Sequence, residues 1–551
     1  MGIERFFKSI NNIYSNQIIK PINKNNNITH IYFDFNSVIH KISSRIINHL
    51  NDLLLYSLVY KYSSQSGMNI DILEDEYTKI NKFYNFNYNI QEFYENLKNI
   101  NVNEIIYNFI FEDIKRYLLF FTNCKLLYIS IDGTPSVGKM VEQQDRRYKG
   151  HLMSLINKKL IEKHKNLLNN NKFDFTNIYN EYEYLQLKLS FDKNLISPQT
   201  DFMIDFINLL KKQEFKIKCI ISDFDDYGEG EKKIVKYIKK YNKNSDEIII
   251  YSPDADMIIM SMILPFNIYI LRHEQSDSRD DIIDIQKIRE IFNPVDDIAY
   301  IFSVFGDDFI PKIEWVNVQH HLEKILNEYK KLNIRIIEKN KVNLENLRLF
   351  FESIKKLQYN FQLSKNPFDD NIKTVNYKSF QYYNELNNIE KLLKEYQPKY
   401  EIIEKDIDNQ LIVVDYYKAM LWKYNYYFLD DESNNNYYYN YDKAPKIDDL
   451  INFYDFNFIN LNEYKTTKLL PIDQLCFISP INISKYVEKQ TLNKEIASKL
   501  FKLMKINIPD IKIKNDKINI DEIFSCDNAR YLNKCNLKFD IIKFENFTKL
   551  L

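Results

Sequence analysis

The sequence predicts an α/β protein, with a mostly parallel twisted sheet flanked by helices and a helical, Tyr-rich C-terminal region packed on it. Three observations carry this reading. Short β-branched or aromatic runs recur and end in a carboxylate: Ile28–Phe33 before Asp34, Leu126–Ile131 before Asp132, Lys218–Ser222 before Asp223, and Ile248–Tyr251 just before Asp254. Amphipathic helical stretches separate them, and strand alternating with helix is the pattern of a parallel sheet. After about Pro311 the pattern stops, and Lys/Glu/Asn-rich sequence gives way to Tyr-rich sequence.

Taken in order, Ile28–Phe33 opens the sheet, and residues from about 48 to 123 interrupt it with helices and polar loops. Leu126–Ile131 resumes it, and a charged, Asn-rich, helix-prone insertion covers about 150–190. Lys218–Ser222, Ile248–Tyr251 and Phe266–Leu271 complete the strands. The expected organisation is a core over 1–330, a helical connecting segment over 331–400, and a C-terminal region over 401–551 that covers the site cleft. Ligands of open α/β sheets bind at the carboxyl ends of the strands, so the strand-end acids are expected to converge on one rim.

With 551 residues, 45% of them hydrophobic, the chain can bury a large core. Its 75 basic and 76 acidic residues nearly cancel, so there is no whole-molecule basic field, and any nucleic-acid contact must be a local patch. The five cysteines (Cys124, Cys219, Cys476, Cys526, Cys535) lack C-x-x-C spacing and read as free thiols in a reducing compartment. No apolar run reaches the length of a membrane span, and the N-terminus lacks a signal-peptide layout. Myristoylation at Gly2 is rejected because Phe6 stands where the motif needs Ser or Thr.

Seven acids stand out: Asp34, Asp132, Glu229, Glu231, Asp254, Asp256 and Asp308. Singly, each reads as a turn former or helix cap. As a set, four strand ends and a Gly-Glu-Gly-Glu would have to coincide. Asp254 and Asp256, if extended, would point the same way and face one cation. Glu229 and Glu231 cannot share a helix face, so at least one should precede the helix or sit behind the direct ligands. Oxygen-only ligands select Mg²⁺ or Mn²⁺ over zinc. Two such ions would relieve the repulsion among the acids and supply a two-metal clamp for phosphodiester hydrolysis.

Beyond Asp132-Gly-Thr-Pro, a helix is expected to carry Lys139, Gln143, Arg146 and Arg147, at offsets 0, 4, 7 and 8. These four fall within about a third of the helix circumference. An ammonium, an amide and two guanidiniums on one face suit a terminal phosphate, although a solvated charged face would read the same way. His40 alone is a weak signal, open to base stacking, phosphate contact or a structural role.

The ordered motifs resemble the XRN family of 5′→3′ exoribonucleases. They are Met1-Gly-Ile-x-x-Phe-Phe, Ile31-Tyr-Phe-Asp-Phe-Asn-Ser-Val-Ile-His40, Ile131-Asp-Gly-Thr-Pro and Lys139-Met-x-x-Gln-x-x-Arg-Arg147. Then follow Phe191-Asp-x-Asn-x-Ile-Ser-Pro, Gly228-Glu-Gly-Glu-x-Lys-Ile234, Ser252-Pro-Asp-Ala-Asp256 and Gly306-Asp-Asp-Phe-Ile-Pro311, with a weaker match through Tyr416–Pro445 and Pro471-Ile-Asp-Gln-Leu475. The resemblance implies a PIN/flap-nuclease-like core whose seven acids bind the metals. It implies a 5′-monophosphate pocket at Lys139, Gln143, Arg146 and Arg147, too small for a cap or triphosphate. Asn36 and His40 match active-site positions, with His40 stacking on the first base. The implied activity is processive degradation of decapped or cleaved single-stranded RNA to mononucleotides, as in mRNA decay.

Two departures are visible. A pair of tryptophans expected in the Tyr-rich segment is replaced, the nearest matches being Asn435 and Tyr437, and Tyr437 is expected to stack on a base more weakly. The stretch between Asp34 and Asp132 is longer than expected, and no additional C-terminal domains are expected after Leu551. Rival readings are a structure-specific flap-type DNA nuclease and a catalytically silent RNA-binding scaffold. The compartment is expected to be intracellular, cytoplasmic before nuclear, or a virion for a viral source.

Overall fold

A computed structural model describes residues 2–3, 5–21, 27–63, 71–86, 88–147, 150, 169–170, 173–273, 280–364, 409–441, 443–461, 469–479, 513–514 and 517–518. Much of the expected 150–190 insertion, the 365–408 stretch, most of the chain after 480, and Cys526 and Cys535 lie outside the described residues. Cys124, Cys219 and Cys476 are free thiols.

Seven strands form the central sheet: β1 Ile19–Pro21, β2 His30–Asp34, β3 Leu126–Ser130, β4 Lys218–Ser222, β5 Glu247–Tyr251, β6 Asn267–His273 and β7 Asp280–Asp284. Their order across the sheet is β1-β7-β6-β5-β2-β3-β4. The pairs β2–β3, β3–β4, β2–β5 and β5–β6 are parallel, whereas β7 runs antiparallel to both β6 and β1. The expected mostly parallel sheet is therefore present, extended by β7, which runs against its neighbours, and by β1 beyond it, neither of which is among the expected strands.

Alternation along each strand explains why both faces are covered. Tyr32, Tyr128, Ile248 and Ile250 point into one hydrophobic cluster. Ile31, Phe33, Leu127, Ile129 and Ile249 point into the other. The second cluster takes residues from the helices Phe35–Ser63 and Val102–Phe120, so the expected boundary near residue 48 falls inside a helix. The first is completed by the helix Asn409–Phe428, whose Tyr416, Tyr417, Met420, Trp422, Tyr426 and Tyr427 are all buried. Aromatic side chains buried around much of this helix account for its Tyr-rich composition, and its buried Asp415 and Lys423 are paired with Tyr437 and Asp307. No described helix is long and apolar enough to cross a membrane.

The chain runs β2, β3, β4 in one direction, then returns to place β5 on the other side of β2. The carboxyl ends of β2 and β5 therefore flank the topological switch point, where such sheets open a crevice.

Candidate active site

Asp34 is the last residue of β2, Asp132 lies just beyond β3, and Asp254 lies just beyond β5 as the N-cap of the helix Ala255–Met262. Glu229 is the N-cap of the helix Gly230–Tyr241 and Glu231 sits in its first turn. One of that pair thus precedes the helix. One oxygen each from Asp34, Glu231 and Asp254 lies within 4.8 Å of the others, close enough for a shared cation.

Neighbouring donors orient these acids. Ser252 Oγ donates to Asp34 Oδ2 at 3.0 Å, and the Gly230 N–H donates to Asp132 Oδ1 at 2.7 Å. Asn36 is buried, and its Oδ1 accepts from the Asp132 N–H at 3.1 Å, so it holds the Asp132 backbone. The loops of Asp132 and Glu229 interlock: Gly133 N–H donates to Gly228 O and Gly228 N–H to Thr134 O, both at 2.9 Å. A Cβ on Gly133 would fall 2.0 Å from Asp226 O, so only glycine permits that approach.

Asp132 lies beside Asp34, whereas Glu229 and Asp308 gather around Lys139. Lys139 is buried, with Nζ 2.5 Å from Asp308 Oδ2 and 3.4 Å from Glu229 Oε1. Gly2 N–H donates to Asp308 Oδ1 at 3.2 Å, and Tyr427 Oη donates to Asp256 Oδ2 at 3.3 Å. The expectation that Asp254 and Asp256 face one cation from extended backbone is corrected here. Helix begins at Ala255, so the two carboxylates diverge, Asp254 toward Asp34 and Glu231, Asp256 toward Gly2 and Tyr427.

Burial and mutual repulsion push several of these groups up. Asp34 is raised well above the ordinary carboxylate range by burial and by Asp254 and Asp132, and Glu231 by burial, Asp254 and Asp34. Asp256 is raised to about 7 by burial and by Asp308 and Asp307. Asp308 is the exception: burial would raise it, but the Lys139 ammonium holds it below its usual value. An acidic site with this much unrelieved repulsion favours either protons or cations.

The basic helix spans 137–147 and begins against the C-terminal region, where the Val137 N–H donates to Asn435 O at 2.8 Å. Lys139 sits among the acids, Gln143 Oε1 accepts from Gln474 Nε2 at 3.0 Å, and Arg147 Nη2 donates to Ser197 Oγ at 2.7 Å. Arg146 is exposed and lies 3.3 Å from Glu142. His40 is solvent-accessible but has protein on most sides; this enclosure and the charges of Arg146, Arg147 and Lys193 push its pKa down to about 4. The imidazole is therefore neutral near pH 7, and Asp254 is its acidic neighbour.

Tyr437 requires correction. It is 1% exposed, its hydroxyl donates to Asp415 O at 2.8 Å, and its ring packs against Trp422 with centroids 5.8 Å apart. Its ring lies in the core and presents no face for a base. Asn435 is likewise buried, its Nδ2 donating to Tyr227 Oη at 3.1 Å.

Several site neighbours escape the strand-acid pattern. Tyr426 Oη donates to Glu229 Oε2 at 3.4 Å, and Lys423 pairs with Asp307. Asp307 Oδ1 also accepts from the N–H groups of Phe309 and Ile310, so this first Asp of the Gly-Asp-Asp motif closes a turn. An open cavity of about 410 Å³, lined by Gly2, Arg5, Asp308, Lys312 and Gln319 among others, lies beside Asp308. Only the Tyr-rich composition hinted that the C-terminal helix touches the acids.

Residues 55–274 match the family description "XRN 5′-3′ exonuclease N-terminus", and residues 391–517 match "Xrn1 helical domain". A protein of Acanthamoeba polyphaga mimivirus named as a 5′-3′ exonuclease is 37% identical over 196 residues, 29% of this chain and 32% of that protein. An uncharacterized protein of the same virus is 31% identical over 169 residues, 26% of this chain and all of that protein. The 5′-3′ exoribonuclease 2 of Aspergillus fumigatus is 30% identical over 157 residues, 25% of this chain and 14% of that enzyme. The chain thus spans about a third of the mimivirus exonuclease and a smaller share of the fungal enzyme. With both segments matched in chain order, the chain belongs to the XRN 5′-3′ exonuclease family.

Proposed function

We propose that this chain is a Mg²⁺-dependent, processive 5′→3′ exoribonuclease that degrades single-stranded RNA carrying a 5′-monophosphate. The observation that carries the reading is the meeting of Asp34, Glu231 and Asp254 within 4.8 Å, beside a helix bearing Lys139, Gln143, Arg146 and Arg147. The cluster fits a hard divalent cation. Its donors are all carboxylate oxygens, and Glu231 Oε2 is buried with no hydrogen-bond partner among the described residues. We assign Asp34, Glu231 and Asp254 to one cation, and propose that Asp132, Glu229, Asp256 and Asp308 complete the metal-binding set that the family resemblance implies. Mn²⁺ would serve as well by the same donor chemistry.

Bound cations would supply Lewis-acid stabilisation and lower the pKa of a coordinated water. The protein's part is positional. Lys139 balances Glu229 and Asp308 while remaining on the helix that receives the 5′-phosphate. Arg147 and Arg146 offer forked donors to that phosphate, and Gln143 adds an amide donor. Neutral His40 offers a flat ring for the first base beside them. Asn36 holds Asp132 through its backbone. We further propose that the core spans 1–330, with 331–400 connecting to a C-terminal region over 401–551 that closes the cleft.

The test is cleavage of one labelled RNA prepared with a 5′-monophosphate, hydroxyl, triphosphate or cap, in Mg²⁺. Loss of the monophosphate form alone, releasing mononucleotides, supports the proposal. Equal cleavage of all four, or cleavage of branched DNA instead, favours a flap-type endonuclease. No cleavage favours a silent scaffold.

A further inference from the structure

The motif Pro471-Ile-Asp-Gln-Leu475 forms the start of the helix Pro471–Ile478, and this helix lies behind the basic helix 137–147. Two adjacent glutamines join them. Gln144 is fully buried, and its Nε2 donates to Phe477 O at 2.8 Å, which fixes one helix against the other. Its neighbour Gln143 is only partly buried, and its Oε1 accepts from Gln474 Nε2 at 3.0 Å.

A glutamine amide has an acceptor end and a donor end, and a phosphate at neutral pH uses only donors from the protein. Turned the wrong way, Gln143 would set a carbonyl oxygen against a phosphate oxygen. The bond from Gln474 occupies the carbonyl end, leaving Nε2 as the end that donates. Gln474 is itself 1% exposed, on a helix whose Leu475, Phe477 and Ile478 are buried, so packing sets its position.

A second observation points the same way. Gln474 Oε1 is buried with no hydrogen-bond partner among the described residues. A buried, unpaired acceptor is costly, and an apolar side chain of the same shape would pack there without that cost. The amide at this position is explained by what its donor end does for Gln143.

We propose that Gln474 is a positioning residue for 5′-phosphate recognition, setting the amide of Gln143 so that its Nε2 faces the phosphate. The inference rests on the 5′-monophosphate pocket proposed above, and it makes the C-terminal region part of that pocket.

The experiment compares kcat/KM on 5′-monophosphate and 5′-hydroxyl RNA of one sequence. It uses the full chain, Gln474→Met, Gln474→Leu, Gln143→Leu, Arg147→Ala and the Gln143→Leu/Gln474→Met double variant. Gln474→Met should lower the monophosphate preference about five-fold, through KM on the monophosphate RNA, the worth of one hydrogen bond. It should add nothing in the Gln143→Leu background. Melting temperature should hold or rise, because the unpaired acceptor is gone. An unchanged preference in both Gln474 variants while Gln143→Leu lowers it overturns the inference and leaves the pocket standing. So do equal losses with and without Gln143, or a lower melting temperature with the preference intact. If Gln143→Leu and Arg147→Ala both leave the preference unchanged, the pocket itself is misplaced and the inference falls with it.

Discussion

Gly2 lies directly against Asp256: a Cβ built on Gly2 would fall 2.1 Å from Asp256 Oδ1, while the Gly2 N–H donates to Asp308 Oδ1 at 3.2 Å. Gly2 also adopts φ +57°, in the left-handed region. Gly2→Ala must therefore displace a carboxylate of the proposed active site and accept an unfavourable backbone conformation, which costs about 1–2 kcal/mol on its own. Cleavage of 5′-monophosphate RNA should fall at least about ten-fold. Full activity in Gly2→Ala would show that Asp256 and Asp308 do not need their observed placement.

Asp254→Ala should abolish cleavage, because it removes a carboxylate from the Asp34, Glu231 and Asp254 cluster. It also removes a charge that opposes ionisation of both neighbours. The metal-free variant should therefore be as stable as the wild type or more so, by about 1 kcal/mol. Added Mg²⁺ should stabilise the wild type and have a smaller effect on the variant. Thermal melts with EDTA and with millimolar Mg²⁺ check this; equal Mg²⁺ shifts in both proteins would remove Asp254 from the metal site.

Arg147, held by Ser197 at 2.7 Å, is expected to contact the 5′-phosphate. Arg147→Ala should reduce the preference for monophosphate over hydroxyl RNA by about thirty-fold, the equivalent of roughly 2 kcal/mol for one charge-assisted contact. An unchanged ratio of kcat/KM values would place the phosphate elsewhere.

Asp256 carries a pH dependence whose sign can be worked out. Its folded pKa is raised to about 7, above the usual 3.8, so between those values the folded state binds more protons than the unfolded. Metal-free stability is then lost as pH rises through that window, by at most about 1.4 kcal/mol per pH unit from this group. Asp256→Asn removes the dependence. In EDTA its melting temperature relative to wild type should climb from pH 5 to pH 8, and a constant difference would contradict the raised pKa.

Strand positions were legible because β-branched runs ending in carboxylates are a local signal: Lys218–Ser222 was bounded correctly, and the others within two residues at either end. The strands Ile19–Pro21 and Asp280–Asp284 were not, since one is three residues long and neither precedes a singled-out acid. The partition of the acids was only half legible. Glu229 ahead of a helix follows from the two-residue spacing, whereas the divergence of Asp254 and Asp256 depends on where the next helix begins.

By itself, the sequence determined the α/β class, the carboxylates at the strand ends and the basic face of one helix, because each depends on residues near in the chain. Only the tertiary structure decided that Asp34, Glu231 and Asp254 meet at one switch point. It alone decided that Tyr437 is core and not platform, and that Tyr426, Tyr427 and Gln474 reach the site from the C-terminal region. Those relations join residues up to 331 positions apart, such as Gln143 and Gln474. They follow from strand order and from which faces must be buried, which no local pattern encodes.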